Sequence, residues 1–525
     1  MNLVAALVPI LILPGASFYF DVIPKVVVLL LGAALAAKSL VRDRFSALLA
    51  ALAGAAILAA IFSTHPGMSF YGSTWRKSGV IAELAVLALA ASVRSIHRYV
   101  LLASIPVAIY GILQYFGIDP ILNAAGYHSG PIVRPPSTMG HAAYLATYLL
   151  FIVFAASAEK VRWRWIPISL GIAAIVLSGT RAAVLGLVIG LIVLRVNWRW
   201  MAGAIALFAI FYISPAGEKM RARVHWASED ALGGARRMLW RDSLKMAAHR
   251  PLLGYGPETF SVEFLKHESI DLERAYPDFY HESPHNIFVD ALVSKGIVGL
   301  IPLAAIAILG LLHARGAMGA AFIAMLVSQQ FTTFTLPTEF FFFVCAGLLL
   351  RDQSAPPLRI SPLLAIPFAA FAVYLAAGDA LLASGKRALD RGDLAAAINR
   401  VNQARAWHAS ADIYFSRRFS GIADLRAYPA AMTAAMQAPQ TADDPQNALV
   451  NLAGLQAIAN DVRGVEQSLR RAIHVAPQWY KPYWLLAEVL AREGRLQEAR
   501  DAAFAAIDRD GGKHPEVKAT WDRLR

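Results

Sequence analysis

A series of long apolar runs constrains the fold of this chain more than any other feature. A helix needs about 20 apolar residues to cross the hydrocarbon core of a bilayer. Thirteen segments approach that length, at residues 4–20, 22–38, 45–63, 79–93, 99–117, 140–158, 163–179, 182–196, 199–214, 297–313, 317–334, 338–350 and 360–378. Only 16% of the residues are charged, against roughly 25% in soluble domains. The sequence therefore predicts an all-α, polytopic membrane protein with about 13 transmembrane helices.

The composition also excludes several classes of site. The first apolar run lacks a basic n-region and a small-residue cleavage site, so it is interpreted as a retained span rather than a signal peptide. Cys345 is the only cysteine, which leaves no intrachain disulfide and no thiolate cage for a metal. The net charge of +13 is spread largely over short loops between spans, so no nucleic-acid partner is expected.

Basic residues are distributed unevenly over these loops. One set of alternate loops carries Lys38, Arg42, Arg44, Arg94, Arg98, Lys160, Arg162, Arg164, Arg195, Arg199, Arg315, Arg351 and Arg359. The other set carries only Lys25, Arg76, Lys77, Arg134 and Arg181. Loops rich in Lys and Arg remain in the cytoplasm. We therefore predict a multi-pass protein with a cytoplasmic N-terminus. In a bacterium it would lie in the inner membrane, with everything after residue 378 in the periplasm.

The chain divides into four predicted parts. Transmembrane helices fill residues 1–213 and 285–378, and a large polar loop of residues 214–284, predicted to be periplasmic, separates them. Residues 379–525 are Ala-rich and repeat with a spacing of 34, as in the pairs Leu452 and Leu486, Ala453 and Ala487, and Ala472 and Ala506. This spacing resembles tetratricopeptide repeats, which present a concave surface to a protein or peptide partner. The alternative is a helical bundle that only caps the membrane domain.

Candidate site residues gather in the loops predicted to face outward. A tight hairpin, Ser178-Gly179-Thr180-Arg181, puts Arg181 at the membrane surface. Arg236 and Arg237 belong to the polar insert, and we predict that one of the two points into a site. His285 follows a proline and precedes Asn286, a predicted N-cap. The loop residues Arg76 and Arg134 could equally snorkel to lipid headgroups.

Four stretches, taken together, carry a resemblance. They are Ser178-Gly179-Thr180-Arg181-Ala182-Ala183; Arg236 to Trp240 with Pro251 to Pro257; His285-Asn286 with Gly296 to Leu300; and Tyr71 to Arg76 with Gly79. In order and spacing they resemble the O-antigen ligase and polymerase superfamily (the Wzy_C domain family) of bacterial membrane glycosyltransferases. The loop of residues 71–79 is similar to one in members with repeat tails. Gly140-His141 departs from the Gly-Asn of many relatives.

The resemblance implies a mainly helical, GT-C-like glycosyltransferase that needs neither metal nor cofactor. Its donor would be a glycan on undecaprenyl diphosphate, and its acceptor would be lipid A–core, another glycan or a protein hydroxyl. Fixed guanidinium groups would stabilise the leaving diphosphate, a role predicted for Arg181 and for Arg236 or Arg237. A neutral histidine can accept the acceptor's proton, a role predicted for His285. Attack from the opposite face would invert the anomeric centre.

Four further residues are predicted to bind substrate, and several alternatives remain open. The predicted substrate-binding residues are Arg76, Arg134, Tyr255 and Asn286. Within the superfamily the choice lies among ligase, polymerase and protein O-oligosaccharyltransferase. Outside it, a lipid-linked glycan transporter would show paired halves with broken helices near the midplane, and no such symmetry is visible. A non-catalytic membrane scaffold would not need thirteen spans.

Overall fold

A computed structural model describes residues 1–36, 40–122, 128–129, 132–229, 234–277, 279–352, 354–358, 363, 365–424 and 426–525. Lys38 and Arg359, which entered the orientation prediction, lie outside these residues. The regular secondary structure of the described residues consists of helices, apart from one antiparallel pairing of two-residue strands, β1 (His128–Ser129) with β2 (Ile132–Val133). The predicted all-α class is therefore confirmed in outline.

The helices before the polar insert are α1 (Asn2–Leu7), α2 (Ile23–Ala36), α3 (Arg44–Ile61), α4 (Pro66–Tyr71), α5 (Val80–Ser92), α6 (Arg98–Tyr115), α7 (Ala142–Ser157), α8 (Trp165–Leu177), α9 (Arg181–Val193) and α10 (Trp198–Ile213). The insert contains α11 (Glu218–Glu229), α12 (Arg236–His249), α13 (Phe260–Glu263) and α14 (Ile270–Ala275). Helices α15 (Ile287–Leu312), α16 (Gly316–Ser328), α17 (Leu336–Leu350) and α18 (Ala365–Asp390) follow. Each predicted span except the first coincides with one of these helices.

The first predicted span, residues 4–20, is wrong. Helix α1 ends at Leu7, and the chain then turns through Pro14 and Gly15. Proline lacks the N–H that a helix interior needs. The segment that follows instead bonds to α18, because Asp379 accepts hydrogen bonds from the backbone N–H groups of Phe18 (3.0 Å) and Tyr19 (2.9 Å).

The number of membrane crossings stays a prediction. By length and apolarity, four helices of the described residues could each cross a bilayer, namely α3, α6, α15 and α18. Helix α10 together with residues 215–225, bent by 90°, forms a fifth candidate. The helices α2, α5, α7, α9, α16 and α17 are also apolar but have only 13 to 16 residues each.

Helix α7 lies at the centre of the membrane core. Nearly all of its residues are buried, as expected for a helix that is apolar on every side. It packs against α8, α9, α16 and α17. Its Tyr148 and Phe151 rings lie 4.9 and 5.1 Å from the ring of Phe341 in α17. This core holds the ends of the surrounding helices, and with them the loops, in fixed positions.

The polar insert is joined to α15 at a break in that helix. Gly296 has non-helical backbone angles (φ 63°, ψ −164°), so α15 is broken at this residue. The glycine turn of the insert pairs with the break, since Tyr255 N–H bonds to Val293 O and Ile297 N–H to Pro251 O. A Cβ on Gly254 would lie 2.4 Å from Val293 O. The glycine turn is therefore needed for close backbone packing.

The loops gather at the two ends of the helices, as α5 shows. Its N-terminal end follows the loop that carries Arg76. At its C-terminal end, Arg351 donates hydrogen bonds to the carbonyl groups of Ala90 (3.2 Å) and Val93 (2.6 Å) and lies 3.6 Å from Asp43. The two predicted sets of loops are thus kept apart, and which set faces the cytoplasm stays a prediction.

The C-terminal region is a series of packed helix pairs. Beyond α18 they are α19 (Leu394–Arg405), α20 (Asp412–Ser420), α21 (Ala427–Thr441), α22 (Pro445–Ile458), α23 (Val462–Val475), α24 (Tyr480–Arg492), α25 (Leu496–Asp510) and α26 (Pro515–Leu524). Neighbouring helices such as α22 with α23 and α24 with α25 pack together. Residues Gly392, Asn460 and Gly494, at spacings of 68 and 34, all have a left-handed φ between helices of a pair. Equivalent turns therefore recur, and the tetratricopeptide assignment itself stays a prediction.

Candidate functional site

A cavity of about 1170 Å³ lies where the loops at one end of the membrane core meet the polar insert. Its wall is built from segments far apart in sequence. The basic side chains that line it include Arg76, Arg134, Arg181, Arg223, Arg236 and His285. Five of the eight predicted site residues, Arg76, Arg134, Arg181, Arg236 and His285, therefore share one cavity.

The cavity is strongly electropositive. Five arginines and Lys25 line it, whereas Asp21 and Glu282 are the only acidic residues among the lining residues that the structure describes. Burial, together with the charges of Arg236 and Arg181, lowers the pKa of Arg134. The Arg134 Nε atom has no hydrogen-bond partner among the described residues. A buried cation without a partner is costly, so the site is suited to bind an anion.

Arg181 begins α9, directly after the tight turn predicted from the sequence. Its side chain is exposed and lines the cavity. The turn is fixed from the insert, where Arg223 Nε donates to the carbonyl of Gly179 at 3.4 Å. The free backbone N–H groups at the start of a helix also favour negative charge. Arg181 and the start of α9 together present positive potential to the cavity.

Arg236 begins α12 and lines the cavity, whereas Arg237 is exposed and does not. Successive residues of a helix point about 100° apart, so only one of the pair can face inward. Arg236 donates to the carbonyl of Phe331 at 3.4 Å. Of the two arginines, Arg236 therefore lines the cavity and Arg237 lies at the surface.

His285 lies just before α15 with its imidazole at the cavity wall. Its backbone has a left-handed φ of 53°, and its N–H donates to Ser283 Oγ at 3.2 Å. The Nδ1 atom lies 3.4 Å from the same oxygen, while Nε2 has no protein partner in the described part of the chain. Burial, reinforced by the charges of Arg236, His281, Arg76 and Arg134, lowers the pKa of His285 to about 3. The imidazole is therefore neutral at neutral pH.

Comparison with known families identifies this region. Residues 166–304 match the family model described as O-Antigen ligase (Wzy_C). This match supports the similarity to the O-antigen ligase/polymerase superfamily that the motifs predict. Members of this family are membrane glycosyltransferase-like enzymes that use lipid-linked glycan donors and glycan acceptors. No curated protein matches the chain.

The matched O-antigen ligase segment supplies only part of the cavity. It runs from the start of α8 into α15 and contains Arg181, Arg236 and His285. Arg76 and Arg134 precede it and come from loops between the N-terminal helices. The cavity is therefore completed by residues outside the matched segment.

Arg76 is held inside the cavity wall. Its guanidinium lies 3.5 Å from Glu258 and donates to the carbonyls of Glu282 (3.3 Å) and Phe334 (3.1 Å). Burial opposes its charge, but the carboxylates of Glu258 and Glu282 raise the pKa of Arg76 above its usual value. Arg76 thus binds protein groups on several sides and connects the loop of residues 72–79 to the loop before His285.

Tyr255 and Asn286 are not among the residues that line the cavity, and the substrate-binding roles predicted for them stay predictions. The Tyr255 ring is buried in the core of the insert, with its hydroxyl 3.0 Å from His267 Nε2. Asn286 is the predicted N-cap of α15, since its side chain accepts hydrogen bonds from Phe288 N and Val289 N. Both residues build the structure around the site because their polar atoms are already paired there.

The structure adds residues that the motifs did not single out. Arg223, from α11, lines the cavity although it belongs to no motif. Tyr144 bonds to Glu282 at 3.3 Å. His141, the residue that departs from the Gly-Asn pattern, caps α7 and lines the cavity as well. The departure at position 141 was the one sequence signal that pointed to any of these residues.

Proposed function

We propose that this protein transfers a glycan from an undecaprenyl-diphosphate carrier to an acceptor hydroxyl at the periplasmic face of a bacterial inner membrane. One observation carries the proposal. Arg134, Arg181, Arg223 and Arg236 share a cavity with His285, whose Nε2 atom has no protein partner in the described part of the chain. This arrangement provides an anion site and a neutral base side by side. Both are needed when a sugar leaves a diphosphate and joins a hydroxyl group.

The arginines would stabilise the leaving group. As the bond between the anomeric carbon and the phosphate oxygen breaks, negative charge develops on the diphosphate. Guanidinium groups bind phosphate oxygens bidentately and strongly where solvent is excluded. Arg181 and Arg236 carry this role in the proposal, with Arg134 as a further diphosphate ligand. Removing one such donor in other enzymes costs on the order of 10²–10³-fold in turnover.

His285 would remove the acceptor's proton. The acceptor oxygen forms a bond to the anomeric carbon, its proton moves to His285 Nε2, and undecaprenyl diphosphate departs. Ser283 Oγ accepts from His285 N–H and lies within reach of Nδ1, which favours the tautomer with its lone pair on Nε2. The anionic donor would offset the surrounding positive charge and raise the histidine's pKa. The base therefore gains strength when the substrate arrives.

Two further elements belong to the same proposal. The reaction is inverting, because a single displacement attacks the face opposite the leaving group. It is also metal-independent, since a wall of five guanidinium groups repels a divalent cation and supplies the same charge. Ligase, polymerase and protein O-oligosaccharyltransferase would share this donor half and differ in the acceptor, which is lipid A–core for a ligase.

The test is glycan transfer by the purified protein with an undecaprenyl-diphosphate-linked glycan and a set of acceptors. We expect His285→Ala and Arg181→Ala each to lower turnover by roughly 10²-fold or more. The matched control is Arg237→Ala, which should retain activity. Substantial transfer by His285→Ala would remove the base assignment. In the host, lipid-linked polymer accumulating after deletion indicates a ligase, and single-repeat products indicate a polymerase.

A further inference from the structure

The C-terminal helical domain reaches the wall of the cavity through one buried carboxylate. Asp443 lies just before α22 and is 5% exposed. Its two carboxylate oxygens each lie 3.0 Å from the backbone nitrogen of Thr74, and Oδ2 accepts from the Thr74 hydroxyl at 2.6 Å. The carbonyl oxygen of the same residue accepts a hydrogen bond from the Tyr280 hydroxyl at 2.7 Å. A single residue of the tail therefore binds two loops that are about 200 positions apart.

Both loops carry residues of the cavity. Thr74 directly precedes Trp75 and Arg76, which line it. Tyr280 itself lines the cavity and is followed by His281, Glu282 and, after Ser283 and Pro284, by His285. Arg76 then joins the loops a second time by donating to the carbonyl of Glu282. Hydrogen bonds thus connect the C-terminal domain, the loop that carries Arg76 and the loop that precedes His285.

Other contacts keep the tail on this surface. Arg274 at the end of α14 donates to the carbonyl of Asp508 at 2.6 Å and forms an ion pair with its carboxylate. Lys513 donates to the carbonyl of Ala275 and lies over the ring of Tyr276, another cavity residue. The contacts are made by Asp508 in α25 and by Lys513, which follows that helix. Its position relative to the loop of residues 276–285 is therefore fixed at more than one point.

We propose that Asp443 is a positioning residue for glycan transfer, and that the C-terminal domain is a structural part of the catalytic cavity. The carboxylate holds Thr74 and the carbonyl holds Tyr280, so docking of the tail sets the separation between the Arg76 and His285 loops. Asp443 does not touch the reacting atoms. Its effect passes through the two loops, and a binding partner of the tail could alter the site by the same route. The inference rests on the proposed function for its activity readout.

The experiment compares the full-length wild type with Asp443→Ala, using hydrogen exchange and transfer kinetics. We expect faster exchange in residues 72–79 and 276–285 and a fall in kcat on the order of 10²-fold, the effect of a small misplacement of reacting groups. The KM for the donor should change by less than about threefold, because Arg134, Arg181 and Arg236 remain. The control is Asp522→Ala, which removes an exposed carboxylate that pairs with Arg525 and should change neither readout.

A second pair of variants distinguishes the loss of one hydrogen bond from misfolding of the protein. Thr74→Ser keeps the hydroxyl donor and should behave as the wild type, whereas Thr74→Val should show the Asp443→Ala phenotype in weaker form. Unchanged hydrogen exchange in both loops would refute the positioning role of Asp443. Faster exchange in the loops with an unchanged kcat would refute it as well. If the wild type itself transfers no glycan, the proposed function fails. Hydrogen exchange alone then decides whether Asp443 holds the loops.

Discussion

The indole nitrogen of Trp240 donates a 2.8 Å hydrogen bond to the carbonyl oxygen of Pro284. Trp240 lies one helical turn after Arg236 on α12, and Pro284 directly precedes His285. The bond therefore connects the helix that carries Arg236, the proposed diphosphate ligand, to the residue before the proposed base. It explains why an Arg–Trp helix and a Pro-His-Asn segment occur together in this chain.

Replacing Trp240 with Phe tests this connection. The substitution removes the hydrogen bond together with part of the ring that packs against Phe331, at 6.2 Å between centroids. A net hydrogen bond is worth about 1 kcal/mol and the lost packing adds to it, so the free energy of unfolding should fall by at least that amount. Turnover should fall by about tenfold or more, because His285 loses a fixed neighbour. The control is Trp165→Phe at an exposed position, and equal kinetics for the two variants would contradict the connection.

The two adjacent arginines should differ in their effect on catalysis. Arg236 faces the cavity and Arg237 faces solvent. We expect Arg236→Gln to lower kcat by about 10²–10³-fold and Arg237→Gln to leave it within about twofold. Steady-state transfer assays with both purified variants give the comparison. A larger loss for Arg237→Gln would show that the helix is rotated from the orientation described.

Arg134 should stabilise the donor-bound protein and destabilise the protein without donor. Its Nε atom is buried without a hydrogen-bond partner among the described residues, and positive neighbours lower its pKa. Arg134→Met should therefore leave the unfolding temperature of the empty protein unchanged or raise it. The same variant should weaken donor binding by about 10–100-fold, the worth of a charged hydrogen bond. Thermal unfolding with and without undecaprenyl diphosphate measures both effects, and lower stability of the empty variant would refute the assignment.

His285 should make stability depend on pH. Its folded pKa is about 3, below the usual 6.5 of an unfolded histidine. Between these values the unfolded chain binds the additional proton, so stability is fully present above about pH 6.5 and is lost as pH falls toward 3. The loss amounts to at most about 1.4 kcal/mol per pH unit. Thermal unfolding of the empty protein from pH 8 to pH 4 should show it.

The variant His285→Gln isolates this contribution. Burial also lowers the pKa of His281 to about 4, and burial near Asp242 raises the pKa of Glu268 to about 8, with an opposite effect on the pH slope. The difference between wild type and variant cancels those groups. That difference should shrink as the pH falls, and a constant difference would mean that His285 is not held neutral.

Much of the site could be predicted from sequence because its residues stand at the ends of apolar runs. Alternate ends of membrane helices lie on the same side, so the sequence predicts that Arg76, Arg134, Arg181 and His285 lie at one face. The break at Gly296 can also be predicted from the sequence, since Lys295-Gly296 interrupts an apolar helix. In contrast, Arg223 stands in a polar helix with no motif, and only folding of the insert over α9 brings it to the cavity.

A local sequence pattern does not show which partner a side chain meets in the fold. The polar atoms of Tyr255 and Asn286, two predicted substrate-binding residues, bond to His267 and to the start of α15. The run of residues 4–20 is apolar enough to be a span, yet Pro14 and the hydrogen bonds to Asp379 hold Phe18 and Tyr19 against the tail. Composition records how apolar a segment is, and it does not record which surface covers it.

The sequence by itself determined the helical class, the apolar helices of the membrane core, the similarity to O-antigen ligases, the N-cap at Asn286 and the set of basic residues predicted at one face. These depend on hydrophobic length, on charge placement and on short motifs, which are all local. Only the tertiary structure decided that Arg236 rather than Arg237 faces the cavity and that Asp443 reaches Thr74. Those outcomes depend on helix rotation and on contacts between segments hundreds of residues apart, and no local pattern encodes them.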